Sequence, residues 1–264
     1  MFRTFVISIF CLAPSLGMAA TIVGDFSVNF DTAAELRPTV DQFRTELGEN
    51  NGNAPVNADP NGRRQIDWDA APDGISDPNP FPGDFFNGDA APRARGIEFR
   101  EGEGVDGFEL SATEASGEEP LFGLPKDFQA FSPERIFRTT SDGTFDVLFF
   151  DPFDQVTPAL SRGLGVVFLD VEEPDIASMV FYDAFDNILD ERDVATGNDI
   201  GFSFEGLIFD EAVIARVSIT TGGGNVAMDD FIFGEPVPVS AVPLPAGGLL
   251  LLTGLAGLFL RRRA

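Results

Sequence analysis

The chain of 264 residues contains no histidine, one cysteine, one tryptophan and one tyrosine, and it has 17 basic residues against 43 acidic ones. Each shortage excludes a class of chemistry. Without histidine there is no Ser-His-Asp triad, no Cys-His dyad and no His-ligated zinc. The single cysteine is Cys11, inside an N-terminal segment that reads as removable, so no disulfide is expected to staple the folded body. Such a body must be held by its core, by bound ions, or by both. The shortage of Lys and Arg excludes nucleic acid as a partner, because that binding depends on cations displacing counterions from phosphate.

The formal charge is −26. Carboxylate oxygens in excess suit hard divalent cations such as Ca²⁺, while the same charge could serve only to keep the protein soluble. Aromatic character comes almost wholly from 28 phenylalanines. A Phe-rich core is therefore expected, with few exposed aromatic platforms.

The N-terminus, MFRTFVISIFCLAPSLGMAA, carries Arg3, then an apolar run from Phe5 to Leu12, then the small residues Gly17, Ala19 and Ala20. This is the layout of a secretory signal peptide over residues 1–20, read by Sec-type export machinery. Cys11 lacks the sequence context of a lipoprotein signal.

The C-terminus reads VPLPAGGLLLLTGLAGLFLRRRA, from Val242 to Ala264. Ala246 to Leu260 are uncharged and, as a helix, would span about 22 Å, short of a ~30 Å hydrocarbon layer. Its glycines weaken a helix further, by roughly 1 kcal/mol each against alanine. Arg261, Arg262 and Arg263 would stay on the cytoplasmic side by the positive-inside rule. The segment therefore reads as a short, transient transmembrane helix over 246–260. Both ends agree on one topology, with the body outside. Without both ends, 13 basic residues face 43 acidic ones.

Between the ends, the pattern is that of an all-β protein. Thr21 to Phe30 alternates as a strand. Asp31 to Gly48 is the one helical stretch, with Asp31 as a candidate cap, Gly48 as a stop and Pro38 as a break or offset. Glu49 to Pro92 is dense in Asn, Asp, Gly and Pro, and reads as a long irregular loop carrying a short strand at Gln65 to Asp69. From Arg95 short strands recur. RGIEFR and GFELSA read as a hairpin, GLGVVFLDV as a central strand, and Asp186-Asn187 as a hairpin turn. The expected fold is an antiparallel β-sandwich, jelly-roll-like, over 21–234, followed by a partnerless linker over 235–241 with Pro236 and Pro238.

The run Val242, Pro243, Leu244, Pro245, Ala246, then an apolar Gly/Leu stretch, then Arg261 to Arg263, resembles the VPLPA variant of the PEP-CTERM sorting signals. GLGVVFLDVEE, SMVFYDAFDNIL, IARVSIT and MDDFIFGEP are also similar to a β-sandwich body often found with that signal. The resemblance implies transient handling by an exosortase, an integral-membrane cysteine protease that cuts at or near the short motif. It implies release to the cell surface or extracellular matrix of a bacterium that makes exopolysaccharide. It implies no activity for the body.

Candidate sites in the body are acidic. Asp229 and Asp230 in NVAMDDFIFG should point to opposite faces of a strand, so that one is buried and needs Ca²⁺ or arginine as partner. Asp170 and Glu172 share a side near a strand end and are candidate Ca²⁺ ligands. Asp67, Asp69, Asp73, Asp77, Asp84 and Asp89 line the long loop without EF-hand spacing. Trp68 is either a stacking face for a sugar of an exopolysaccharide or a core plug pinning the loop. No carboxylate spacing singles out a hydrolytic pair. The sequence thus points to a non-enzymatic surface or matrix protein, with a Ca²⁺-dependent carbohydrate-binding module as the alternative.

Overall fold

A computed structural model describes residues 20–55, 58–222 and 226–239. The signal segment up to residue 19, the sorting motif Val242–Ala246, the apolar run and Arg261–Arg263 lie outside the described residues. Among the described residues no helix is long and apolar enough to cross a membrane.

The chain opens with β1 (Ile22–Phe30) and α1 (Ala33–Leu47), then β2 (Arg63–Ile66), β3 (Ile97–Glu101), β4 (Phe108–Leu110), β5 (Phe137–Thr139) and β6 (Gly143–Phe149). There follow β7 (Ala159–Leu160), β8 (Gly163–Leu169), β9 (Ala177–Tyr182), β10 (Ile188–Asp193), β11 (Phe202–Phe209), β12 (Arg216–Thr221), β13 (Ala227–Gly234) and β14 (Val237–Pro238). Seven strands form one sheet in the order β1-β11-β8-β13-β5-β4, with β2 also on β13. Five form a second, β10-β9-β12-β6-β3, and β14 pairs with β7 as a small ribbon. The strand ladders are antiparallel. The all-β expectation holds.

Two apolar layers follow from strand alternation. Leu164, Val166 and Phe168 of β8 pack with Phe145 and Val147 of β6, and with Val217 and Ile219 of β12, between the sheets. Val167 and Leu169, the alternate residues, face outward and are covered by Leu36, Val40, Phe43 and Leu47 of α1. Because both faces of β8 are covered, the strand is apolar throughout, as its sequence anticipates. Gly165 and Gly206 are paired in register under Phe43. A Cβ on either would come within 2.9 Å of that ring, so the two glycines make the seat on which the helix rests.

Several local expectations change. Thr32, not Asp31, caps α1: its Oγ1 accepts from the Glu35 N–H. Pro38 sits inside the helix without ending it, because the buried apolar stripe holds the helix to the sheet on both sides of the proline. The segments around β3 and β4 do not form a hairpin. β3 joins β6 in one sheet and β4 joins β5 in the other. The loop between them crosses the sandwich, which local alternation cannot reveal.

Two stretches read as loose are in fact built in. The long loop buries Trp68, Phe81, Phe85 and Phe86 in the intersheet core. The segment read as a linker begins with Glu235, which takes a bidentate pair of hydrogen bonds from buried Arg64 at 2.7 and 2.8 Å. Val237 and Pro238 then pair with β7, and the Val239 N–H donates to the Pro158 carbonyl.

Candidate functional site

β8 ends at Leu169, opposite Phe202, the first residue of β11. That register sets two loops side by side. On one, Asp170 takes a left-handed backbone (φ 65°), a conformation aspartate tolerates better than most residues, and its N–H donates to the Gly201 carbonyl. Val171 then turns inward and Glu172 outward. On the other, Asn198 to Gly201 form a tight turn closed by a 2.8 Å hydrogen bond, with Ile200 also left-handed (φ 61°). Asp199 projects from that turn.

The result is a group of three carboxylates, Asp170, Glu172 and Asp199, each offering an oxygen within 4.8 Å of the others. This group could hold a metal ion. Asp170 is half-buried, and its Oδ1 has no hydrogen-bond partner and no contact with solvent. Burial, reinforced by the charges of Glu172, Asp199 and Asp127, pushes its pKa up to about 6, against the pull of the Ile200 N–H. A bound cation would relieve all of these penalties at once. All three donors are hard oxygens, which select ions of the Ca²⁺ or Mg²⁺ type over softer metals.

Beside this group lies a cavity of about 520 Å³. Leu121, Pro125, Phe128 and Pro133 supply apolar walls, Glu134 an acidic one, and Ile200 joins the cavity to the acidic turn.

Asp170 and Glu172, named from sequence, thus come together with a third acid that sequence reasoning missed. Asp199 sits in a turn motif with no strand periodicity, and only the pairing of β11 with β8 places it. Asp229 and Asp230 fare differently. The register of β13 on β8 slips between Met228 and Phe231, so two residues oppose Val167 alone. This β-bulge turns both aspartates to the helix-covered face instead of to opposite faces. Both are buried. Asp229 Oδ2 accepts the N–H groups of Phe131 and Ser132 at 2.6 and 3.1 Å, and Asp230 pairs with Arg44. Backbone amides and an arginine therefore fill the coordination that a cation would have supplied.

Trp68 is fully buried. It stacks on Phe137 at 4.4 Å, meets Phe81, Phe86, Phe99 and Phe231, and donates from Nε1 to the Asp229 carbonyl. The ring has no free face for a sugar, so the core-plug alternative is the one realised. Of the loop acids, Asp69 accepts from the Glu134 and Arg135 N–H groups, and Asp73 pairs with Arg135. They close turns.

No protein-family model and no curated protein matches the chain. Among solved structures, the chain has a likeness to the enzymatically active domain of bacteriophage CBA120 tailspike protein 4, at 16% identity and a TM-score of 0.28. The match covers 67% of this chain and 22% of that one, so this chain spans under a quarter of that protein. A likeness of this size supports no statement about activity.

Proposed function

We propose that this is an exported, non-enzymatic protein of the cell surface or biofilm matrix, delivered by exosortase-type C-terminal sorting. The observation that carries the reading is the pairing of a signal-peptide layout at residues 1–20 with the three-part tail from Val242 to Arg263. The chain would cross the inner membrane, rest there briefly by 246–260, and then reach the cell surface or the medium. The body is consistent with a passenger that does no chemistry: one adjacent acid pair, Asp229 and Asp230, is sealed under α1 and committed to Ser132, Arg44 and backbone amides. Intact-mass measurement of protein recovered from producing cells tests the delivery. The expected mass begins at Ala20 or Thr21 and lacks Arg261 to Arg263. A mature form retaining those arginines would sink the processing claim.

A second reading is favoured by one observation, the orphaned Oδ1 of Asp170 within the three-carboxylate group. In this reading Ca²⁺ binds Asp170, Glu172 and Asp199, and the ion and the adjoining apolar cavity together take a sugar of the exopolysaccharide. Three carboxylates would supply part of the six to eight oxygens that Ca²⁺ takes, and carbonyls, water or sugar hydroxyls the rest. A glycan array with Ca²⁺ and with chelator discriminates. Binding that vanishes with chelator supports it, and binding indifferent to Ca²⁺, or none, removes it.

A further inference from the structure

Among the described residues, five large apolar side chains stand in solvent, and four of them occur in two loops or at their edge: Phe153 (75% exposed) and Val156 (75%) in one, Phe185 (83%) in the other, and Ile188 (59%) at the start of β10 just after it. The two loops leave the same end of the molecule. In the five-stranded sheet, Leu148 is opposite Arg216, Arg216 is opposite Tyr182, and Tyr182 is opposite Ile188. The loop after β6 and the β9–β10 turn therefore emerge side by side. Between them runs the β7–β14 ribbon. Phe153 shares a cavity with Val237 and Pro238 on one side of it, and Ala184 shares another with Leu160 and Val239 on the other.

The exposed side chains are presented by a repeated local device. Asp151 Oδ1 accepts from the Phe153 N–H, Asp154 Oδ1 from the Val156 N–H, and Asp183 Oδ1 from the Phe185 N–H, each at 2.8 or 2.9 Å. These are three Asx turns of the form Asp-X-apolar, each fixing the backbone so that the third residue projects outward. Burial would be the usual fate of such residues. Here aspartates hold them out.

The same end is where the chain departs for its tail. Ala246, the start of the uncharged run, is only seven residues on from Val239. Fully extended they reach about 24 Å, less than the width of a body of about 220 residues. With the run in a bilayer, this end is the one held against the lipid, and Asp170, Glu172 and Asp199, at the far end of β8, point away. We infer that Phe153, Val156, Phe185 and Ile188 form a membrane-docking face, which seats the body end-on on the outer surface of a zwitterionic bilayer while the tail is inserted. Side chains of this kind enter about 5–10 Å, to the headgroup and acyl boundary. The neighbouring Asp151, Asp154, Asp183 and Asp186 select zwitterionic over anionic lipid. The inference rests on the tail reading under Proposed function.

The test uses the full chain reconstituted in phosphatidylcholine vesicles, with acyl chains plain or brominated. F153W and F185W report the docking face, K126W the remote end and L252W the tail, each read against buried Trp68. Docking predicts loss of emission with brominated lipid for F153W, F185W and L252W, and none for K126W. Loss for L252W alone overturns the docking face and leaves the tail reading standing. Loss at no position overturns both.

Discussion

Asp229 and Asp230, adjacent in the chain, both reach the hydroxyl of Ser132, at 3.0 and 2.5 Å. One hydroxyl carries one proton, so it can donate to only one of them. Burial, followed by the proximity of Asp230, holds the Asp229 carboxyl well above the usual range, and Asp230 is also raised by burial although Arg44 opposes this. The consistent arrangement is a protonated Asp229 that donates to Ser132, which donates to an ionised Asp230 held by Arg44.

That arrangement separates two substitutions that look alike. D229N keeps a neutral side chain of the same shape and should cost about 1 kcal/mol or less. D230N leaves the largely buried Arg44 with only the exposed Asp41 as counter-charge and should cost about 2–4 kcal/mol. Urea unfolding midpoints check the order. Equal losses would contradict the assigned protonation.

Glu205 supplies a pH dependence. It lies on β11 between Ser27 and Val166, fully buried, with neither carboxyl oxygen in a hydrogen bond of normal geometry. Burial pushes its pKa up to about 7, with Ser27 and Arg192 pulling down and Asp25 and Asp190 pushing up. A carboxyl whose folded pKa is raised stabilises the fold fully below its unfolded value and loses that contribution as pH rises through the folded one. The loss should run from about pH 4.5 to about pH 7 and amount to about 1–3 kcal/mol. E205Q should be the more stable protein at pH 8 and should flatten this part of the curve. Parallel melts of both proteins across that range decide it.

Ca²⁺ should raise the melting temperature if the three-carboxylate group is a site. Stabilisation grows by about 1.4 kcal/mol for each tenfold excess over Kd, or about 2–4 °C per kcal/mol for a body of this size. D170N and D199N should each abolish the shift while leaving the calcium-free melt nearly unchanged or slightly higher, since a like-charge cluster is relieved. A shift that survives both variants would place the ion elsewhere.

Trp68 should behave as a core residue and as an internal reporter. W68A should cost about 3–5 kcal/mol by cavity formation, and W68F less, through the lost Nε1 hydrogen bond and volume. As the sole tryptophan, it should emit blue-shifted light until the cooperative transition. Emission that responds to added glycans in the folded state would contradict its burial.

Much of the strand content was legible because β8, β9, β11 and β13 carry local signals: apolar continuity, alternation and turn residues. What failed were inferences that required a partner. Nothing near β3 and β4 shows that they belong to different sheets. The alternation rule applied to Asp229-Asp230 assumed a regular strand, and the bulge opposite Val167 is a property of the pairing, not of either strand alone. Glu235 looked like the start of a free linker because Arg64, its counter-charge, lies 171 residues earlier.

By itself the sequence determined what the chain cannot use, since absent histidines and disulfides exclude chemistry and cross-links whatever the fold. It also determined the Phe-rich β character, because this depends on short-range composition and order. Tertiary structure decided which acids are neutralised and which are left with an orphan oxygen. A carboxylate's state depends on the charges, amides and solvent within a few ångströms, and strand register alone brings those together. Asp229, inside β13, and Asp170, just past the end of β8, are the same residue type beside similarly apolar runs. One was given two backbone amides, and the other two more acids.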